Sequence, residues 1–275
     1  MPPQDGFQAI GLVRPGRALI SVMVLLGALW LLFAVGLNWA GASDETFRFF
    51  LGNTRSILHG EVWRLFTAPL MHDPSAVSHI LWAELGLLFL APTLEQHWGS
   101  ARLLRFLFFS GVLAYAFQML CELALPASIA GRLVPEYWFG SFPVLEAVAI
   151  AWASSFRGQV VRIWGIFPMS ASTMIAFILA MSVLRVVVQA SGPEGLLAPF
   201  GGMFAGWLLG GGTPSPLRKA YLKLRLAQLE RDTARSRRAA PRRKRSSPFQ
   251  VIQGGRGRAS DQDENGNGSS GRLLH

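Results

Sequence analysis

One cysteine, Cys121, stands in the 275 residues, inside an apolar stretch. An internal disulfide is therefore excluded, and the redox compartment is left open. Histidine is also scarce: His59, His72, His79, His97 and His275 are the five, and none lies in the two apolar stretches nearest the C-terminus. Charge has little net sign over most of the chain. Residues 1–216 carry 11 Lys+Arg and 11 Asp+Glu, whereas residues 217–275 carry 15 and 5, so the whole formal charge of +10 sits in the tail. A basic chain with its charge in one terminal segment does not read as a folded nucleic-acid domain, and neither a reader module nor aromatic residues interleaved with the basic ones are present. The first apolar run, residues 17–40, lacks a small-residue cleavage motif and is expected to be retained. No metal or cofactor is called for by any cluster of ligating residues.

What is abundant is apolar sequence. Six stretches, residues 17–40, roughly 77–94, 101–125, 142–154, 165–190 and 196–211, are dominated by Leu, Ala, Val, Phe, Ile, Trp and Gly. About 20 apolar residues cross a hydrocarbon core as a helix, and a helix in lipid satisfies its own backbone hydrogen bonds. The expected class is an all-α, multi-pass membrane protein. Its expected parts are an N-terminal segment 1–16, a membrane body 17–211, a basic juxtamembrane helix 212–240 and a disordered tail 241–275. Arg14 and Arg17, then Arg102 and Arg105, then Arg157 and Arg162, and finally the tail all fall on one side if the chain crosses six times. By the positive-inside rule that side is cytoplasmic, which places the protein in the cell membrane with both termini inside.

Two segments depart from a plain bundle. Residues 41–76 are too long for a simple connection and mix Phe47, Phe49, Phe50, Trp63 and Phe66 with Arg48, Arg55 and Arg64. Short amphipathic elements in the interface suit that composition. The stretch from Phe142 to Ser154 is about 20 Å long as a helix, too short to cross alone, and implies a central helix beginning below a water-filled cavity.

Several strings then converge: Gly60-Glu61-Val62-Trp63-Arg64 in the loop, Ser78-His79 opening the second helix, Leu94-Glu95-Gln96-His97-Trp98-Gly99-Ser100 closing it, Phe139-Gly140-Ser141-Phe142-Pro143 opening the fourth, and Gly202 and Gly206 in the sixth. In this order they resemble the rhomboid family of intramembrane serine proteases over about residues 17–211. The fold the resemblance implies is a six-transmembrane-helix bundle with a long outer first loop and a cytoplasmic tail. Gly202 and Gly206 lie on one helix face and allow close approach of a neighbouring helix, which the resemblance implies is the fourth. For Trp63 and Arg64 two readings stand: an interfacial anchor, or the loop-ordering role the family implies.

The resemblance also implies a serine nucleophile, a histidine base and an oxyanion donor, and the positions where it puts them hold Phe142, Pro199 and Ala83. Only His79 persists. A dyad of Ser141 with His79 is the one alternative, against a helix-capping role for Ser141. With those positions replaced, no buried group is expected to accept a proton from an attacking hydroxyl. The expected function is that of an inactive rhomboid-like pseudoprotease that binds transmembrane segments of client proteins. An active serine endopeptidase with a noncanonical dyad is the alternative, and a purely structural or lipid-perturbing component the third. Ser141, His79 and Glu146 are the candidates for a client cavity. Glu146 would bind a polar or basic group of a client or, equally, be protonated and hydrogen-bonded to a neighbouring helix. The basic tail is expected to bind anionic lipid headgroups.

Overall fold

A computed structural model describes residues 13–156, 160–163, 167–210 and 216–239. The expected N-terminal segment falls outside these residues up to position 12, and the segment 241–275, with its basic run at 241–245, falls outside them entirely.

The apolar runs fold as helices. Helix α1 (Arg17–Asn38) has a mean hydropathy of 2.7; it buries Leu19 and Leu26, packs Val22, Leu29 and Leu37 against the core, and leaves Val24, Leu25, Leu31, Leu32 and Val35 exposed. Among the described residues α1, α5 (Val77–Trp98) and α6 (Ser100–Ala124) are the three helices long and apolar enough to cross a membrane by themselves. Between α1 and α5 come the short helices α2 (Asp44–Arg48), α3 (Thr54–Leu58) and α4 (Arg64–Thr67), then a 3-10 turn, Ala68–Leu70. After α6 come α7 (Ala127–Leu133), α8 (Phe142–Ser155), α9 (Ala171–Val187), α10 (Ala198–Gly210) and α11 (Pro216–Ala239). The chain divides into two compact units between Leu226 and Ala227, inside α11.

Helix α8 is the centre. It buries nine of its 14 residues, including the run Ala147–Ala153, and α5, α6, α9 and α10 all pack on it. At about 21 Å this helix is too short to cross a hydrocarbon core alone, and neighbouring helices cover it. Against α10 the approach is closest. A Cβ on Gly202 would lie 2.0 Å from the Pro143 carbonyl oxygen, one on Gly206 2.4 Å from that of Ala147, and one on Gly210 2.3 Å from the Ala151 Cβ. The two helices thus advance together in steps of four residues, one turn at a time.

The turn from α5 to α6 has a left-handed Gly99, at φ 82°. Beside it Glu95 is buried and fully used: Oε1 accepts from Ser100 Oγ at 2.8 Å and Oε2 from the Gly16 amide at 2.9 Å. That carboxylate ties the start of α1 to the turn, and it gives the Leu-Glu-x-x-x-Gly-Ser string a physical role.

One element departs from an all-helical reading. Strand β1 (Val160–Ile163) pairs antiparallel with β2 (Phe167–Ser170), with Val160 opposite Ser170. The fifth helix therefore begins at Ala171 instead of near 165. Pro168 lacks the amide a helix interior needs, and Ser170 supplies the cap, accepting from the Thr173 amide at 3.2 Å.

Candidate functional site

The N-terminal end of α8 is held from several sides. The amide of Gly140 donates to Ala68 O at 3.0 Å, that of Phe139 to Pro193 O at 2.9 Å, and Tyr115 Oη donates to Gly140 O at 2.7 Å. Gly140 sits at φ 122°, and a Cβ there would come within 3.0 Å of both His79 Nε2 and Glu194 Cγ. Only glycine fits where three segments converge.

Ser141 occupies the N-cap position of α8, but its side chain caps nothing. Its hydroxyl meets the Nε2 of His72 at 2.9 Å, while His72 Nδ1 lies 3.3 Å from Leu70 O. A carbonyl can only accept, so Nδ1 carries the hydrogen, and Nε2 accepts from the Ser141 hydroxyl. The expectations of a capping hydroxyl and of a bundle with no buried proton acceptor are both corrected here. An imidazole does reach the serine, and it comes from the loop before α5. Burial, then the neighbouring His79 ring at 5.0 Å between centroids, pushes the His72 pKa down to about 3. An effective general base is matched to the working pH, and this imidazole is far below it.

The expected partner of Ser141, His79, is committed elsewhere. Its Nδ1 accepts from the Asp73 amide at 3.0 Å, so Nε2 bears the hydrogen and donates to Glu194 Oε1 at 2.9 Å. Glu194 is 2% exposed, and its other oxygen faces Arg185 Nη2 at 3.6 Å. Phe142, expected from the resemblance at the nucleophile's position, lies parallel to the His79 ring, with centroids 5.9 Å apart. His79, Phe142, Glu194 and Arg185 line a pocket of about 420 Å³ at this end of the bundle. Of Ser141, His79 and Glu146, the candidates for a client cavity, His79 alone lines this pocket, with Phe142 beside it. Ala83 is fully buried within α5, and Pro199 is buried in the first turn of α10; neither lines the pocket. Ser141 lies on the other side, against an apolar cavity.

Glu146 also stands apart from the pocket. Its Oε1 accepts from Ser182 Oγ of α9 at 3.2 Å, the neighbouring-helix bond of the second reading, and its Oε2 is buried with no hydrogen bond among the described residues. Both carboxylate oxygens of Glu84 are in that condition too. Trp63 is exposed and donates to Phe49 O at 3.3 Å, while Arg64 is buried within the loop and donates to the carbonyls of Arg48 and Leu51.

Sequence reasoning missed His72, Glu194 and Arg185 as members of one end of the bundle. His72 is separated from Ser141 by 69 positions and Glu194 from His79 by 115, and no periodicity links them. The available signal was the short list of histidines, which left His72 as a candidate base.

A family model described as the Rhomboid domain matches residues 59–214. A protein of Bacillus subtilis (strain 168) bearing the name "Putative rhomboid protease YdcA" is 26% identical over 205 residues, covering 74% of this chain and 92% of that protein.

Proposed function

The chain belongs to the rhomboid family, and from that premise we propose that it is a multi-pass pseudoprotease of the cell membrane that binds transmembrane segments of client proteins. The spans are α1, α5, α6, α8, α9 and α10, with both termini cytoplasmic and the basic tail held by anionic lipid headgroups. One observation carries the reading. At the end of the bundle where a nucleophile and base would act, Phe142 covers the ring of His79 and the Nε2 of His79 is spent on Glu194. The pocket keeps its walls and lacks a nucleophile facing a free base.

Within the spans, Glu146 is the group that would select clients. Its second oxygen is buried and unmet, so a client helix that parts α9 from α8 can supply it with a basic or hydroxyl-bearing residue, because an unmet polar group at depth gains more from a partner than from lipid. Single-span reporter proteins with Lys, Ser or Leu at mid-span, captured by the purified chain, test this. Lys and Ser reporters should be retained over Leu by about tenfold, and Glu146→Gln should erase the preference while the protein still inserts. Equal retention of all three by the unaltered chain would reject client selection by Glu146.

A second reading, a serine hydrolase, has one observation in its favour: the 2.9 Å contact of Ser141 with His72. This pair replaces the Ser141–His79 dyad. Its weakness is a base pushed down to about 3 and a nucleophile 3% exposed. A fluorophosphonate probe should leave the detergent-purified protein unlabelled at pH 7. Labelling that disappears in Ser141→Ala would establish the hydrolase reading instead.

A further inference from the structure

Beside Ser141 a cavity of about 300 Å³ lies among α1, α5, α6 and α8, with Phe66, Pro69 and Leu70 of the loop before α5 completing its lining. Leu26, Leu87, Leu107 and Val144 form its walls. Leu25 of α1 and Leu104 and Phe108 of α6, all lining it, are 40–50% exposed, so the cavity opens through the apolar perimeter of the bundle. Ser141 is the one polar side chain in the lining, and its hydroxyl hydrogen is already given to His72.

Those features decide what can fill the space. Water needs two to four polar partners in a buried site, and here it would find a single oxygen. An empty cavity of this size forfeits the dispersion contacts of every wall atom. A helix of a client or of a second copy is about 10–12 Å across and does not fit. A flexible hydrocarbon chain does, and the mouth opens where hydrocarbon is the solvent. We propose that the cavity between α1 and α6 binds one acyl chain of a membrane phospholipid, which packs α1 against the body while its headgroup stays at the bilayer surface. This rests on the membrane-spanning reading of α1, α5 and α6.

The test uses the full chain in nanodiscs of phosphatidylcholine doped with phosphatidylcholine carrying a diazirine in one chain. After irradiation, peptides containing Val22–Leu26 and Leu104–Phe108 should be labelled at least fivefold above those around Leu120 and Leu123, which are exposed on the same α6. Leu107→Trp should fill the cavity and bring its labelling down to the perimeter level, with Leu120→Trp leaving it unchanged. Native mass spectrometry should show one phospholipid retained by the unaltered chain and lost from the filled variant. Leu104→Trp, at the mouth, serves if Leu107→Trp does not insert; if neither inserts, the labelling pattern of the unaltered chain decides. Uniform labelling along α6, or labelling indifferent to filling, would overturn the site. A chain that fails to insert at all would instead overturn the membrane-spanning reading, and carbonate extraction from vesicles tells the two apart.

Discussion

Gly202→Ala should unfold the bundle at a much lower temperature than the unaltered chain, and Gly202→Val should prevent its recovery as a monodisperse species. The reason is a single distance. The added Cβ would sit 2.0 Å from the Pro143 carbonyl oxygen, with the Pro143 carbonyl carbon at 2.7 Å. No side-chain rotation relieves a clash with backbone, so α10 would have to withdraw from α8. Overpacking in a core costs about 1–3 kcal/mol when side chains can yield, and more is expected where they cannot. The gain in helix propensity from Gly to Ala, about 1 kcal/mol, works the other way and is outweighed. Gly27→Ala is the matched control, because nothing lies within 4 Å of a Cβ at that position of α1. It should leave the melting temperature unchanged or slightly raised. Gly206→Ala, facing Ala147 O at 2.4 Å, should fall between Gly202→Ala and the control. A Gly202→Ala protein that melts with the unaltered chain would mean that α8 and α10 do not approach this closely.

The same two glycines show what a sequence makes legible. Small residues four apart on an apolar helix specify a close neighbour, and the length of the fourth apolar stretch already marks a buried helix. Local order in residues 41–76 was readable from aromatic and charged composition, and it takes the form of α2, α3 and α4. The Ser141 surroundings were not readable, for a definite reason. Composition placed 41–76 at the interface, yet the loop's last residues turn inward and bury His72 to 1% exposure. A histidine in a loop and a serine at a helix start carry no shared period, and their meeting is set by how the loop packs. The resemblance implied departures from the family pattern at Phe142 and Pro199. What occupies the space instead, the Glu194 carboxylate between His79 and Arg185, was not legible, because its members come from the connection before α10, from α5 and from α9. The delayed start of α9 was hidden by an apolar run that reads equally as strand or helix until Pro168 is weighed.

Arg64→Ala should make the loop 41–63 the first point of protease attack and lower stability by about 3 kcal/mol. Arg64 is 7% exposed, and its guanidinium serves three acceptors: Leu51 O at 2.7 Å, Arg48 O, and Glu61 Oε2, the last at 2.6 Å from Nε. Hydrogen bonds to a charged group are worth about 1.5–3 kcal/mol each. Glu61 is part-exposed and can return to solvent, so the loss concentrates on the two carbonyls. Lysine should rescue little, since one ammonium cannot spread donors across the fan of acceptors that a planar fork reaches. The consequence extends beyond the loop. Leu51 precedes Gly52, whose amide and carbonyl both bond Trp138 at 2.9 Å, and a Cβ on Gly52 would collide with the Trp138 ring. Trp138 stands two residues before Gly140, where Ala68 and Tyr115 hold the entry to α8. Melting the Arg64 cluster should therefore loosen the Ser141–His72 contact, with hydrogen exchange at Gly140 rising by at least tenfold. The packing of α10 on α8 should be untouched. Unchanged protease resistance and exchange in Arg64→Ala would favour the other reading, in which the Trp63–Arg64 pair is only an anchor at the bilayer surface.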